Sequence, residues 1–381
     1  MLDVIIIGAG PFGISLASHV VSHELSYKLF GYPMDFWKNQ MPQDMFIRTP
    51  HEFVSLSDAK DEWTVQNFAK ETGTELVTPL PRPVFVAYAN WFAKKSGIEF
   101  TNEKVKLVHN NGNYYEVISE SGDRYLTKNV IVATGVEHYQ YLPNFLKDLP
   151  SHYVSHTSGY TDFSRFKDSK VVVMGSGQSA WEAAGLLHRE GAEVELVYRK
   201  EQPNYAGSRE NEIALRDLGD VFYSLPLEEK KAGWGQSPGS VAHFLKPYVE
   251  GIVPQSPGVE MVKVEPVNEA EIRILLSNGE EKIANYLIAA TGFHINIDRV
   301  PFFKEDLLNS IKREEGYASF PMLNESFMSN LPGLYFAGPL SSHSHGPTFR
   351  FILGLRKTAF SIIPDIVRKK YDNNLLRKVL S

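Results

Sequence analysis

The sequence predicts an α/β protein with two Rossmann-like dinucleotide-binding domains, the second inserted into the first, each with a small antiparallel β-meander. Three observations carry this. Two glycine-rich turns each follow an aliphatic run: Val4–Ile7 before Gly8-Ala9-Gly10-Pro11-Phe12-Gly13, and Val171–Met174 before Gly175-Ser176-Gly177-Gln178-Ser179-Ala180. An Ala-Thr-Gly closes each copy, at Ala133-Thr134-Gly135 and Ala290-Thr291-Gly292. A third strand-turn, Gly333–Pro339, precedes a helix-like segment around Ile352–Ile363 and returns the chain to the first domain. The expected boundaries are 1–164 for the first segment, 165–293 for the insertion and 294–381 for the return.

Each turn has the context that its chemistry needs, a buried strand before and a helix after. The first glycine makes the tight bend, the second lets backbone approach a pyrophosphate, and the third position must be small for helix and strand to pack. The helix N-terminus faces the anion. Hairpin signals follow: Asn110-Asn111-Gly112-Asn113 separates Val105–Val108 from Tyr115–Ile118, and Ser277-Asn278-Gly279 follows Ile272–Leu276. Between Asn204 and Pro257, helix-like pieces broken by Gly233, Gly235, Pro238 and Gly239 read as a helical excursion capping a substrate pocket. The tail Asp365–Leu380, with Arg368, Lys369, Lys370, Arg377 and Lys378, reads as a terminal helix docked by Ile366, Val367, Leu375 and Leu376, its charges solvated.

A length of 381 residues suffices for two packed cores, and 43% hydrophobic with 22% charged residues is ordinary for a globular chain. A net charge of −6 gives no footprint for nucleic acid. No apolar run reaches the roughly 20 residues that span a bilayer, and the chain opens directly in a core strand, so a cytoplasmic location is expected. The complete lack of cysteine is the most useful negative. It excludes disulfides, thiolate-held metals and a redox-active Cys-x-x-Cys. Electrons reaching a flavin must leave without a thiol of this chain.

FAD is the usual occupant of an N-terminal turn when a second turn follows. An acid normally ends the second strand to hold the ribose, but Tyr27–Phe30 runs into Gly31 and Tyr32. FAD is then expected to bind through its pyrophosphate and other contacts. In the second domain Arg199 and Lys200 follow the strand Glu195–Tyr198, about 20 residues after the turn. Paired cations there suit a 2′-phosphate and favour NADPH; the plain alternative is an exposed strand-end pair.

These residues resemble the FAD- and NADPH-dependent class B flavoprotein monooxygenases, closest to the N-hydroxylating enzymes acting on ornithine or lysine. The likeness covers most of the chain. It rests on Gly175-Ser176-Gly177-Gln178-Ser179-Ala180-x-Glu182, Ala290-Thr291-Gly292-Phe293, His156-Thr157-Ser158-Gly159-Tyr160, Gln43-x-x-Phe46-Ile47-Arg48, Phe85-x-x-Tyr88-x-x-Trp91 and Asn211-Glu212-Ile213. Arg48 stands where those enzymes use a lysine for the substrate carboxylate. Val84 replaces a glutamate, and an Asn-Tyr-Ser segment is not evident near Ser237–Val241.

The resemblance implies hydride transfer from NADPH to FAD, then a flavin hydroperoxide that hydroxylates a small amine nitrogen or another soft N or S nucleophile. The partners implied are that small molecule and dioxygen; the oligomeric state is left open. Gln43, Arg48 and Asn211 are the expected catalytic residues, with Asn211 otherwise a helix cap. Gly8, Gly10, Pro11, Phe12, Gly13, Trp37, Thr134 and Gly135 are expected on FAD, with Gly338, His345 and Gly346 in a loop over its ring. Gly175, Gly177, Gln178, Ser179, Arg199, Lys200, Thr291 and Gly292 are expected on NADPH. Phe85, Tyr88 and Trp91 at helical spacing read as core, and His156 as a hydrogen-bonding joint. His343-x-His345 lacks a third ligand, so no metal site is expected. Two alternatives stay open: an NADPH-dependent flavin reductase of a quinone or other small acceptor, and a nucleotide-binding redox sensor with negligible turnover.

Overall fold

The computed structural model describes residues 1–235 and 239–380; for residues 233, 235 and 373–380 the backbone alone is described. Strand Leu2–Ile7 is aliphatic because neighbours cover both its faces. Val4, Ile5 and Ile6 expose no surface, as in a central parallel strand. It pairs in parallel with Tyr27–Phe30 on one side and with Arg124–Val132 on the other. Strand Arg124–Val132 changes partners along its length. Its first half runs antiparallel to Tyr115–Ser119, and its second half runs parallel to Leu334–Phe336. The first meander (Val105–Asn110, Tyr115–Ser119, Arg124–Val132) is therefore continuous with the first sheet, and the late strand Leu334–Phe336 completes that sheet.

The second sheet is wholly parallel, in the order Gln255–Ser256, Glu193–Val197, Lys170–Met174, Tyr286–Ala289, Val154–His156. Its last member lies ahead of residue 165, so this sheet recruits residues that the expected boundary gave to the first domain. The second meander (Met261–Asn268, Glu271–Leu276, Glu281–Ala284) forms a separate antiparallel sheet.

The two copies share one steric device. Gly8 has φ +116° and Gly175 φ +139°, a region L side chains avoid. A Cβ on Gly8 would lie 2.4 Å from the Ala133 carbonyl oxygen, and one on Gly175 2.6 Å from that of Ala290. Each Ala-Thr-Gly thus recurs because its alanine backs the turn's first glycine.

The excursion forms helices Arg209–Val221 and Leu227–Gly235; Gly233 does not break the second, and Pro238 lies outside the described residues. It docks on the return segment. The Thr348 hydroxyl donates to the Leu215 carbonyl at 2.6 Å, and Trp234 stacks on His343 at 3.5 Å. The last helix, Leu355–Leu380, buries Ile362, Ile363 and Ile366 against Leu16, Ala17 and Val20 of helix Pro11–Ser22. Arg368, Lys369 and Lys370 keep the solvent contact expected of them and also pair with acids. Arg368 and Lys369 contact Asp365 at 2.7 and 2.6 Å, and Lys370 contacts Asp3 at 3.0 Å. The side chains of Leu375, Leu376, Arg377 and Lys378 lie outside the described residues. No helix among the described residues is long and apolar enough to cross a membrane.

Candidate active site

A cavity of about 560 Å³ opens on the first turn. Gly8, Gly10, Pro11 and Phe12 line it at one side, Thr134 and Gly135 at another, with Trp37, Ile47, Phe351 and Ile352 as apolar wall. A Cβ on Gly10 would meet nothing within 4 Å, which leaves the cradle that a pyrophosphate needs. Gly13 does not line the cavity. Its added Cβ would fall 1.8 Å from the Gly8 carbonyl oxygen, the helix–strand contact that demands a small third residue. Gly338 sits beside Phe12, and its neighbour Pro339 reaches the cavity. The residues present fit FAD.

The strand end beside Gly31 lacks the usual acid for a steric reason too. Gly31 has φ +124°, and a Cβ there would come within 3.1 Å of the Ala9 nitrogen. Negative charge arrives from elsewhere: Asp35, Glu120 and Glu137 all line this end and all act on Lys104, whose ammonium meets Glu137 at 2.7 Å.

Arg48 lies at the opposite flank. Its guanidinium donates to the Ser240 hydroxyl at 2.8 Å, sits 5.0 Å from the Phe351 ring centre and faces Glu212 at 3.8 Å. Burial lowers the arginine pKa and raises that of Glu212, while their mutual attraction opposes both shifts. Glu212 is the residue that sequence reasoning passed over. It stands next to Asn211, which is exposed at the third position of helix Arg209–Val221. There Asn211 accepts the Ser208 hydroxyl at 2.8 Å and returns its N–H to it, a capping exchange away from the cavity. The helix face, not the motif, decides which of the two points inward. Gln43 is also displaced from its expected role: it is exposed, off the cavity wall, and tied through its backbone N–H to the Thr161 carbonyl at 2.8 Å.

The second turn is not an open cradle. The segment Gly239–Ala242 lies across it: a Cβ on Gly177 would meet the Gly239 Cα at 3.3 Å. The Gln178 N–H donates to the Ser240 carbonyl, and the Ala242 N–H donates to Gln178 Oε1 at 2.9 Å. Lys200 donates to the Gly239 carbonyl at 3.2 Å, and Arg199 is largely exposed, 3.9 Å from Glu260. Thr291 donates its hydroxyl to the Tyr141 carbonyl, Gly292 accepts from His156, and Ser179 is exposed. His156 takes the Ser158 N–H on Nδ1 and so donates from Nε2 to Gly292 at 3.0 Å, tying together the ends of two neighbouring strands of the second sheet. In this arrangement the chain's own strap, Gly239–Ala242, lies against the coenzyme turn.

His345 and Gly346 do not face the cavity. His345 is buried, stacked on Phe327 at 3.7 Å, and a Cβ on Gly346 would strike Phe222 at 2.7 Å. They seat the helical excursion instead. Phe85 and Tyr88 are fully buried and Trp91 packs against the same cluster, as core. Glu182, 6% exposed, accepts the Phe46 N–H at 3.1 Å and links the second-turn helix to the strand Phe46–Ile47 just before Arg48; burial pushes its pKa up to about 7.

A family model described as pyridine nucleotide-disulphide oxidoreductase matches residues 5–215. The chain belongs to that family. It is an oxidoreductase. Thioredoxin reductase of Listeria innocua serovar 6a is 24% identical over 345 residues, 90% of this chain and 86% of that protein. An ornithine N-hydroxylase of Kutzneria sp. 744, determined with reduced FAD, NADP+ and L-ornithine, has the same fold. It gives a TM-score of 0.81 at 18% identity, covering 97% of this chain and 100% of that one. Bacillithiol disulfide reductase of Staphylococcus aureus gives 0.71 at 19%, covering 97% and 99%. The fold is thus shared with class B N-hydroxylases and with disulfide reductases alike.

Proposed function

We propose that this chain is an NADPH-dependent monooxygenase that hydroxylates a small amine nitrogen or another soft nucleophile. The observation that carries the reading is the absence of cysteine from a chain whose first cavity runs from the FAD cradle to Arg48 and Phe351. A disulfide reductase passes electrons on through thiols; here the cavity that opens on the cradle continues to Arg48 and Phe351 instead. Bound FAD would supply the redox chemistry, accepting hydride from NADPH and delivering electrons to dioxygen. The balance is one oxygen atom to the substrate and one to water, for one NADPH and one proton consumed.

The chain's residues bind, orient and exclude water. Gly8, Gly10 and the N-terminus of helix Pro11–Ser22 would hold the FAD pyrophosphate, and Trp37, Ile47, Phe351 and Ile352 would keep the reacting end dry. Residues 165–293 would carry NADPH on the backbone N–H groups of Gly175, Gly177 and Gln178, with Arg199 and Lys200 at its 2′-phosphate once the strap opens. Arg48, held by Ser240 and Glu212, would orient the substrate. Oxygen uptake and peroxide release by FAD-loaded enzyme, measured against NADPH consumption with a panel of amines and sulfides, test the reading. One class that lowers peroxide and yields a product heavier by one oxygen supports it. Peroxide matching NADPH with every compound sinks it in favour of a plain flavin reductase.

A further inference from the structure

The cavity carries a cation that neither the coenzyme turns nor any internal carboxylate accounts for. Arg350 lines it one residue before Phe351, whose ring lies under Arg48. Its Nε donates to the Ser342 hydroxyl at 3.2 Å, which anchors the guanidinium through one of its nitrogens. Among the described residues no carboxylate comes within ion-pair distance of it. The three carboxylates that line the cavity gather round Lys104 beside Gly31, and Glu212 is matched to Arg48 and Thr49. Arg350 is exposed where it lines the cavity, and its surroundings lower the guanidinium pKa with no opposing charge to restore it. A guanidinium stays ionised even so and is available to an anion.

The phosphates of the two dinucleotides do not call on this residue. The FAD pyrophosphate has the Gly8–Gly13 turn, and the NADPH phosphates have the Gly175 turn with Arg199 and Lys200. What remains is a forked cation beside apolar walls of Met45, Ile47, Phe351 and Ile352. That combination selects a planar oxyanion on an apolar body. It also disfavours a substrate with a permanent positive charge at this end, where no lining carboxylate would receive it.

We propose that the Arg350 flank of the cavity takes a small organic acid with an apolar body, the guanidinium gripping its carboxylate in a fork. This rests on the reading that the cavity is a substrate site. Arg350 is a residue for specificity and positioning; it exchanges no proton or electron.

FAD-loaded enzyme is titrated with 3-phenylpropionate, its amide and 3-phenylpropylamine, following the perturbation of the flavin absorbance bands. The acid is expected to saturate the change, with amide and amine at least about tenfold weaker. Arg350→Gln should weaken the acid by about ten- to a hundredfold while FAD content and melting temperature hold, and Arg350→Lys should restore part of the affinity. Equal response to acid, amide and amine overturns the proposal, as does unchanged acid affinity in Arg350→Gln. A parallel NADP+ titration distinguishes the other source of an anion: a tenfold loss there in Arg350→Gln assigns the residue to coenzyme phosphate and also overturns it. Anaerobic bleaching of wild-type flavin by NADPH checks the functional reading separately, since acid binding needs no reduction.

Discussion

The N–H of Gln178 donates to the carbonyl of Ser240 at 3.0 Å, which spends on the chain itself the helix N-terminus that a pyrophosphate would use. The same strap holds Arg48 through the Ser240 hydroxyl. Coenzyme arrival is therefore expected to disturb the Arg48 contact as well. Adding NADP+ should accelerate hydrogen exchange at the Ala242 amide. Gln178→Ala, which removes the acceptor of that amide, should tighten NADP+ by about two- to tenfold, the worth of one neutral hydrogen bond. Unchanged exchange at saturating coenzyme would place NADP+ elsewhere.

Gly10 and Gly13 should respond oppositely to alanine. Gly10→Ala adds a methyl facing open cavity, so the apoprotein should keep its melting temperature while FAD affinity falls about tenfold or more. Gly13→Ala drives a methyl into the Gly8 carbonyl and should cost several kcal/mol, on the order of 3, whatever the FAD concentration. Thermal denaturation with and without FAD separates the two.

Glu212→Gln leaves the half-buried Arg48 without its counter-charge. A loss of about 1–3 kcal/mol in urea denaturation is expected, because a broken, partly buried pair strands the surviving ion. If the variant is as stable as the parent, the pair contributes no net stability and Arg48 relies on Ser240 alone.

Acid should loosen the seat of the excursion. Burial lowers His343 and His345 to about 4 and about 3, so the unfolded chain binds more protons below its ordinary histidine range. Their contribution is fully present above pH 6.5 and is lost as pH falls towards 4, at about 1.4 kcal/mol per pH unit for each histidine. Glu182 acts in the other sense: with its pKa raised to about 7, stability falls as pH rises from 4.5 to 7. Two histidines outweigh one glutamate, so the melting temperature should drop on acidification. His345→Phe, which keeps a ring stacked on Phe327, should flatten that drop.

What was legible in the sequence was whatever is written in short range. Strand, turn and helix at Gly8 and Gly175, the hairpins at Asn111-Gly112 and Asn278-Gly279, and the return through Gly333–Pro339 all rest on local sterics. The site itself is tertiary. Asn211 and Glu212 are adjacent, and only the rotation of a helix whose cap is Ser208 tells which faces Arg48. Gln43 was misplaced because its motif names a loop whose anchor, Thr161, is distant in the chain. The strap could not be read at all: nothing in Gly239–Ala242 announces that it lies on Gly177, because small residues meet small residues there. Arg350 is one basic residue in an unremarked run until the cavity shows that it stands without a partner carboxylate.

Strand Leu334–Phe336 fills its place beside Val130–Val132 only after the entire inserted sheet has been made. A ribosome emitting this polypeptide releases the nucleotide cradle early, with one border of its scaffold bare. That border has to wait, unzipped, through most of translation. Premature termination anywhere before Leu334 would leave an orphan template for intermolecular pairing, so truncated products should aggregate rather than persist as half-working enzyme.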